Sequence, residues 1–452
     1  MQRSTPSIRC RQGTLACAVA ILAVLPLLQP TRASAARPAA HSGAQTVLTF
    51  DTVSRPDEML VVKNLVAAFE KAHPDITISI QPVAGDYVQK EFIKAAAGTL
   101  GDLMYTADVF TIPFGFHHVI ANMQPYINAD PSFNVDDIYP VMLNLGRYPG
   151  DAEHGLYMMP QESDAQTLFY NKALFKTAGV PFPTANWTYA QFLADAQKLT
   201  KHDASGKTVQ WGVSLSDTFW AHYVPFMVAA GGGPITADGR HSNFSAPGSI
   251  AGIQTMADLY VKYKVAVPPL VSYDFTSGKV AMAFGQRPNV PLYRQAIGGK
   301  FGWDVTAMPS YPSGKRVTSM GTQGFAFSAN SPHKKEAFQF IAFLASPAGQ
   351  RVFASTYASV PIRKSLADDA SWRKLPGPPY NNDAFVSAIV TGITPPVYPV
   401  DISVNCGTVY TGQIGTAETT AMDKIVRGAP VAPTLTALDQ QINSCINSVS
   451  TQ

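Results

Sequence analysis

The chain has 452 residues, 46% hydrophobic and 14% charged, with 34 Lys+Arg against 31 Asp+Glu for a net charge of +3. Residues 1–35 hold four arginines and no acid, so without them the charge is about −1. Such a balance suits a large, well-filled globular protein, and nothing in it points to the clustered cationic face that nucleic-acid binding needs.

Arg3, Arg9 and Arg11 precede an apolar run from Leu15 to Leu28, and Ala33-Ser34-Ala35 follows. A basic start, an apolar stretch and a small-residue cleavage pattern predict an exported precursor, with a signal peptide over 1–35. The run is short for a membrane span and Pro26 interrupts it. Thr14-Leu15-Ala16-Cys17 matches a lipid-attachment motif only in part, because Cys17 lies inside the run. The expected product is therefore soluble, periplasmic or extracellular. Of four cysteines, Cys406 and Cys445 remain after cleavage. In an oxidising compartment an even pair is a candidate disulfide, with two buried thiols as the alternative.

Residues 36–45 are small and polar, which predicts a disordered lead-in. Thr46–Phe50 reads as a strand. Pro56 opens a helix whose apolar positions Val61, Val62, Leu65, Val66 and Phe69 share one face. Ile76, Ile78 and Ile80 alternate as in a half-buried strand. A helix is expected over Tyr87–Ala97 and a third strand over Ala107–Phe110. That order, β-α-β-α-β, belongs to an open parallel sheet, whose ligands sit beyond the carboxyl ends of its strands. Those ends fall at Asp51–Arg55 and Phe110–Phe116. Further on, Thr188 can cap a helix with Phe192, Leu193, Ala196 and Leu199 on one face. Helices are predicted over Phe219–Ala230, Pro247–Lys262, Pro291–Ile297, His333–Leu344, Pro347–Tyr357, Asn381–Val390, Tyr410–Arg427 and Thr434–Val449. Strands are predicted over Gln210–Val213, Lys279–Phe284, Trp303–Ala307 and Gly324–Ser328.

Four stretches then point to a family. Phe69-Glu70-Lys71 leads through His73-Pro74 to Ile76-Thr77-Ile78. Gln166–Phe175 contains Tyr170-Asn171-Lys172 and is followed by Ala178-Gly179-Val180-Pro181 and Trp187-Thr188. Gly278–Gly285 is the third stretch. Gly324–Ser328, Ser331–Ala337, Ser346-Pro347, Gly349-Gln350 and Val360–Arg363 form the fourth. In order and spacing they resemble the extracellular solute-binding proteins of ABC importers, in the sugar-binding family that includes maltose-binding protein. The resemblance implies an α/β, periplasmic-binding-protein-like (type II) fold: two lobes, hinge strands, and a ligand cleft that closes between them. It places crossings near Glu162–Asp164, Asp304–Met308 and Ala358–Arg363. The lobes would then comprise 46–163 with 306–360, and 164–305 with 361–452.

Sugars need bidentate polar groups for their hydroxyls and aromatic faces for their C–H faces. By the resemblance, Asp164 on the first crossing is the leading candidate, flanked by Glu162 and Gln166. Arg287 stands where family members often carry tryptophan, so it puts the solute class in doubt; a surface ion pair is its alternative. Trp220, with Phe219 and Tyr223, could form an aromatic platform or simply core. Ser54, Arg55 and Asp57 follow the first strand, at a helix N-terminus suited to oxygen-rich ligands. Phe110, Phe114 and Phe116 follow the third. Thr322 lies in the glycine-rich return Gly321-Thr322-Gln323-Gly324, and Arg363 follows the last crossing.

No His-Glu-x-x-His, nucleophile turn or phosphate loop occurs, and His117-His118 are badly spaced to share a metal. The expectation is a monomeric, non-enzymatic binding protein without cofactor or metal. It would deliver a carbohydrate to the transmembrane subunits of an ABC permease. The alternatives are a secreted carbohydrate-active hydrolase, which paired acids leave open, a binder of another solute such as a polyol phosphate, or a chemosensing subunit.

Overall fold

The structure is a computed structural model that describes residues 45–148, 151, 154–271, 273–358 and 360–450. The expected signal peptide, and the lead-in apart from Gln45, lie outside the described residues. Among the described residues no helix is long and apolar enough to cross a membrane.

The strands in chain order are β1 (Thr46–Val53), β2 (Ile76–Val83), β3 (Leu103–Ala107), β4 (Met159–Pro160), β5 (Asp164–Asn171) and β6 (Lys201–His202). They continue with β7 (Thr208–Ser214), β8 (Val280–Gln286), β9 (Trp303–Thr306), β10 (Thr318–Gly321), β11 (Gln323–Phe327) and β12 (Gly392–Ile393). Two sheets result. The first runs β2-β1-β3-β11-β4; β1 pairs in parallel with β2 and β3, and β11 pairs antiparallel with β3 and β4. The second runs β12-β10-β5-β8-β7-β6, with β9 also paired to β5.

Local sequence explains the elements. Helix Pro56–Ala72 starts with proline at its first position, where the missing N–H costs nothing. Its apolar face, Val61, Val62, Leu65, Val66 and Phe69, is buried as its spacing requires. Phe69 meets Phe340 and Phe343 of helix Lys334–Ala345 edge-on, with centroids 5.0 and 5.6 Å apart. Phe50, central in β1, packs between Phe325 and Phe340 at 5.3 and 5.8 Å. In the second sheet's layer, Thr188 and Gln191 form a reciprocal capping box at the start of helix Tyr189–Leu199. Cys406, ending helix Val400–Cys406, is bonded to Cys445 of helix Val431–Ser450, with Cα atoms 6.0 Å apart.

Two expectations need correction. The third strand is Leu103–Ala107, not Ala107–Phe110, and residues 108–110 turn into the short helix Thr111–Phe116. The chain's return to the first sheet comes at Gly321–Gln323, between β10 and β11, and not near 306. Asp304 lies in β9 of the second sheet, where its carboxylate holds Lys172 Nζ at 2.8 Å and the backbone N–H of Tyr380 at 2.8 Å.

Candidate functional site

The two sheets meet where β3 ends, where β5 begins and where β10 passes into β11. Asp108 is the first residue beyond β3. Its Oδ2 accepts from the Thr322 backbone N–H at 3.1 Å, and its Oδ1 from that of Val109 at 2.8 Å. Asp164, the first residue of β5, pairs with Gly321 at the end of β10. A side chain at Gly321 would put Cβ 2.8 Å from Asp108 Oδ2, so glycine lets the carboxylate approach the hinge backbone. Carboxylates from both sheets thus flank one glycine.

Their electrostatics follow from burial. Asp108's carboxyl is pushed up to about 6 by desolvation, partly offset by its two backbone hydrogen bonds. Asp164 is raised to about 7 by desolvation and by the charge of Asp108, against the pull of Arg55. Asp164 Oδ1 is buried without a hydrogen-bond partner. Glu162, buried two residues earlier, is raised well above its ordinary range by desolvation, Asp164 and Glu58. Its Oε1 accepts from Gln323 Nε2 at 2.8 Å. Gln323 Oε1 in turn accepts from the Tyr105 hydroxyl and from Arg55 Nη2, the latter at 3.4 Å. Arg55 lies 3.6 Å from Glu58. Arg55, Glu58, Glu162 and Gln323 line a narrow recess closed on its other side by Pro288 and Pro291, beyond β8.

An aromatic group stands near the two aspartates. Trp220 opens helix Trp220–Ala229 and donates from Nε1 to the Tyr410 hydroxyl at 2.5 Å. Phe219 stacks on Tyr410, with centroids 6.2 Å apart and planes inclined by 28°. Trp220 is only 3% exposed, whereas the Tyr410 residue is 45% exposed. The enclosed hydroxyl end of Tyr410 is raised by desolvation and by the charges of Asp108 and Asp164, so the phenol lies within their field.

The structure sorts the sequence candidates. Asp164, Glu162 and Trp220 lie at this junction, joined by Arg55. Ser54 is exposed in the turn after β1. Asp57 lies in the first turn of helix Pro56–Ala72, its side chain outside the described part. Phe110 is half-buried and packs against the core around the second sheet. Thr322 is committed to the hinge, its hydroxyl donating to the Glu162 carbonyl at 2.6 Å. Gln166 is likewise internal, its Oε1 accepting from Ser319 Oγ at 2.9 Å.

Three candidates are corrected. Phe114 is 0% exposed and packs on Phe92 at 5.1 Å, because Thr111–Phe116 is a helix that turns this ring inward. Arg287 is 1% exposed: the C-terminal segment folds over it, so its guanidinium lies over Phe385 at 5.0 Å and donates to Asn382. Arg363 is spent on the carbonyls of Phe133 (2.8 Å), Asn134 (3.1 Å) and Ala345 and on Asp137 at 3.2 Å. Among the platform candidates, Tyr223 is core and donates to the buried Glu418 at 2.5 Å. Sequence reading missed Asp108, Glu58 and Tyr410. Placing β3 four residues earlier would have exposed Asp108 as a strand-end acid; nothing local marks Tyr410, which is 190 residues from Trp220. Among the described residues no three or more His, Cys, Asp or Glu are grouped to hold a metal.

Comparison with known proteins agrees with this architecture. A family model described as "Bacterial extracellular solute-binding protein" matches residues 54–351. A putative binding protein of Brucella abortus is 25% identical over 309 residues, 66% of this chain and 72% of that protein. The melibiose/raffinose/stachyose-binding protein of Bacillus subtilis is 23% identical over 352 residues, covering 74% and 77%. Among solved structures, an ABC substrate-binding protein of Listeria monocytogenes in complex with cycloalternan superposes with a TM-score of 0.77 at 22% identity, covering 89% of this chain and 99% of that one. The fold is accordingly that of type II periplasmic binding proteins.

Proposed function

This chain belongs to the bacterial extracellular solute-binding protein family, and we propose that it captures a carbohydrate between its two sheets and delivers it to an ABC permease. The observation that carries this reading is the junction itself: Asp164 presents a buried oxygen without a donor, opposite Asp108, beside Tyr410, Phe219 and Trp220. An unpartnered buried carboxylate oxygen is costly, and a sugar hydroxyl would supply the missing donor. The Tyr410 and Phe219 rings would meet the apolar face of the sugar. Asp108 and Asp164 lie at the return between the two sheets, so a solute held by both would touch groups of each sheet and would favour the closed arrangement. The sugar complexes and sugar-binding names among the relatives support the solute class.

The test is calorimetric titration and thermal shift over mono- and oligosaccharides. A binding sugar should raise the unfolding temperature increasingly with its excess over Kd. Asp164→Asn should weaken it by about 1.5–3 kcal/mol, the worth of a hydrogen bond to a charged group, roughly ten- to hundredfold in Kd. If no carbohydrate stabilises the protein, the reading fails. Two acids with raised pKa values also suit a hydrolase; release of shorter sugars by the purified protein would establish that instead.

A further inference from the structure

We infer that the preferred solute carries a positive charge, as an amine-bearing carbohydrate, and that Asp108 and Asp164 select it. This rests on the carbohydrate reading above and deepens it.

The charges that face one another at the junction are unbalanced. Asp108 comes from the end of β3, Glu58 from the first helix, Glu162 from the β4–β5 crossing and Asp164 from β5. Among the described residues one base, Arg55, faces these four acids, and it lies 3.6 Å from Glu58 and also reaches Gln323. The remaining titratable neighbours, Tyr105 and Tyr410, add no positive charge. Arg287 and Arg363 cannot compensate, since both are enclosed elsewhere, against Asn382 and Asp137. Asp108 has two backbone donors and no cation among its hydrogen bonds; Asp164 Oδ1 has no donor at all. Burial raises both aspartates, and the charge of Asp108 raises Asp164 further. An ammonium group placed between them would remove the repulsion and supply several donors at once. A phosphate or uronate would bring a further negative charge to a seam already short of cations, so the same seam disfavours acidic sugars. The cation is organic, because the described residues hold no cluster spaced for a metal ion. Tyr410 and Phe219 supply an aromatic face beside the carboxylates, where a cation gains further.

The test compares disaccharides of one linkage built from glucose, glucosamine and glucuronate, titrated at pH 7 against the full chain, Asp164→Asn and Asp108→Asn. The glucosamine sugar should bind at least tenfold more tightly than the glucose sugar, and the glucuronate sugar should bind least. In each variant that preference should shrink to threefold or less, and circular dichroism checks that the variant is folded. Equal or tighter binding of the glucose or glucuronate sugar overturns the inference while leaving the carbohydrate reading intact. So does a preference for glucosamine that both folded variants keep. Absence of binding by every sugar defeats the carbohydrate reading and this inference with it.

Discussion

Asp164, the proposed solute contact, costs the folded chain stability rather than adding to it. Its carboxyl is held near 7 and that of Asp108 near 6, while unfolded aspartates titrate near 4. Between about pH 4 and 7 the folded chain therefore binds more protons than the unfolded chain, so these groups lose stability as pH rises through that window. Glu418, near 7, and Glu91, near 8, act in the same sense. Buried His222, lowered to about 4, opposes them below about 6.5. The ligand-free protein should thus gain thermal stability as pH falls from 8 to 6.5. Asp164→Asn should have a higher midpoint at pH 8 and a shallower slope; an unchanged slope would mean that this carboxyl ionises freely in the folded state. Residue roles were only partly legible. Asp164 and Glu162 could be placed from the Tyr-Asn-Lys motif downstream. Arg287 and Arg363 could not be rejected, because what encloses them is a distant segment: Asn382 for one, Phe133–Asp137 for the other.

At the scale of elements, periodicity carried most of the information. Helix Pro56–Ala72 and strand β2 have one buried face each, and such patterns survive into the fold because burial enforces them. Strand β10, four residues long and half polar, has no pattern to read, although its Thr318 and Ser319 are buried, paired with β12 and with their hydroxyls on Gln166 of β5. Missing it moved the expected return between lobes from 321 back to 306. Two variants probe these elements. Phe50→Ala empties the space between Phe325 and Phe340 and should cost about 3–5 kcal/mol, read as a lower denaturant midpoint. Gly321→Ala drives Cβ to 2.8 Å from Asp108 Oδ2. It should displace that carboxylate from Thr322 and weaken solute binding at least tenfold, at a stability cost of about 1–3 kcal/mol. Binding unaffected by the extra methyl would show that Asp108 need not sit against the hinge.

For the whole molecule, the family was legible because order and spacing of several weak motifs survive where identity does not; the relatives compared above stand at 22–25%. Its export is an expectation from residues 1–35, checked by N-terminal sequencing of the secreted protein, which should begin at Ala36. The Cys406–Cys445 bond has a further consequence. Tyr410 lies four residues after Cys406, inside the covalent ring that this bond closes. The aromatic partner of Trp220 is therefore tethered by a link that the reducing cytosol does not sustain. On the proposed reading, a chain with this bond reduced would hold Tyr410 less firmly and grip its solute less tightly, so full affinity would require the oxidised chain. Dithiothreitol should reproduce that state in vitro and lower solute affinity to the level of Cys406→Ser; unchanged affinity in both would show that Tyr410 needs no tether.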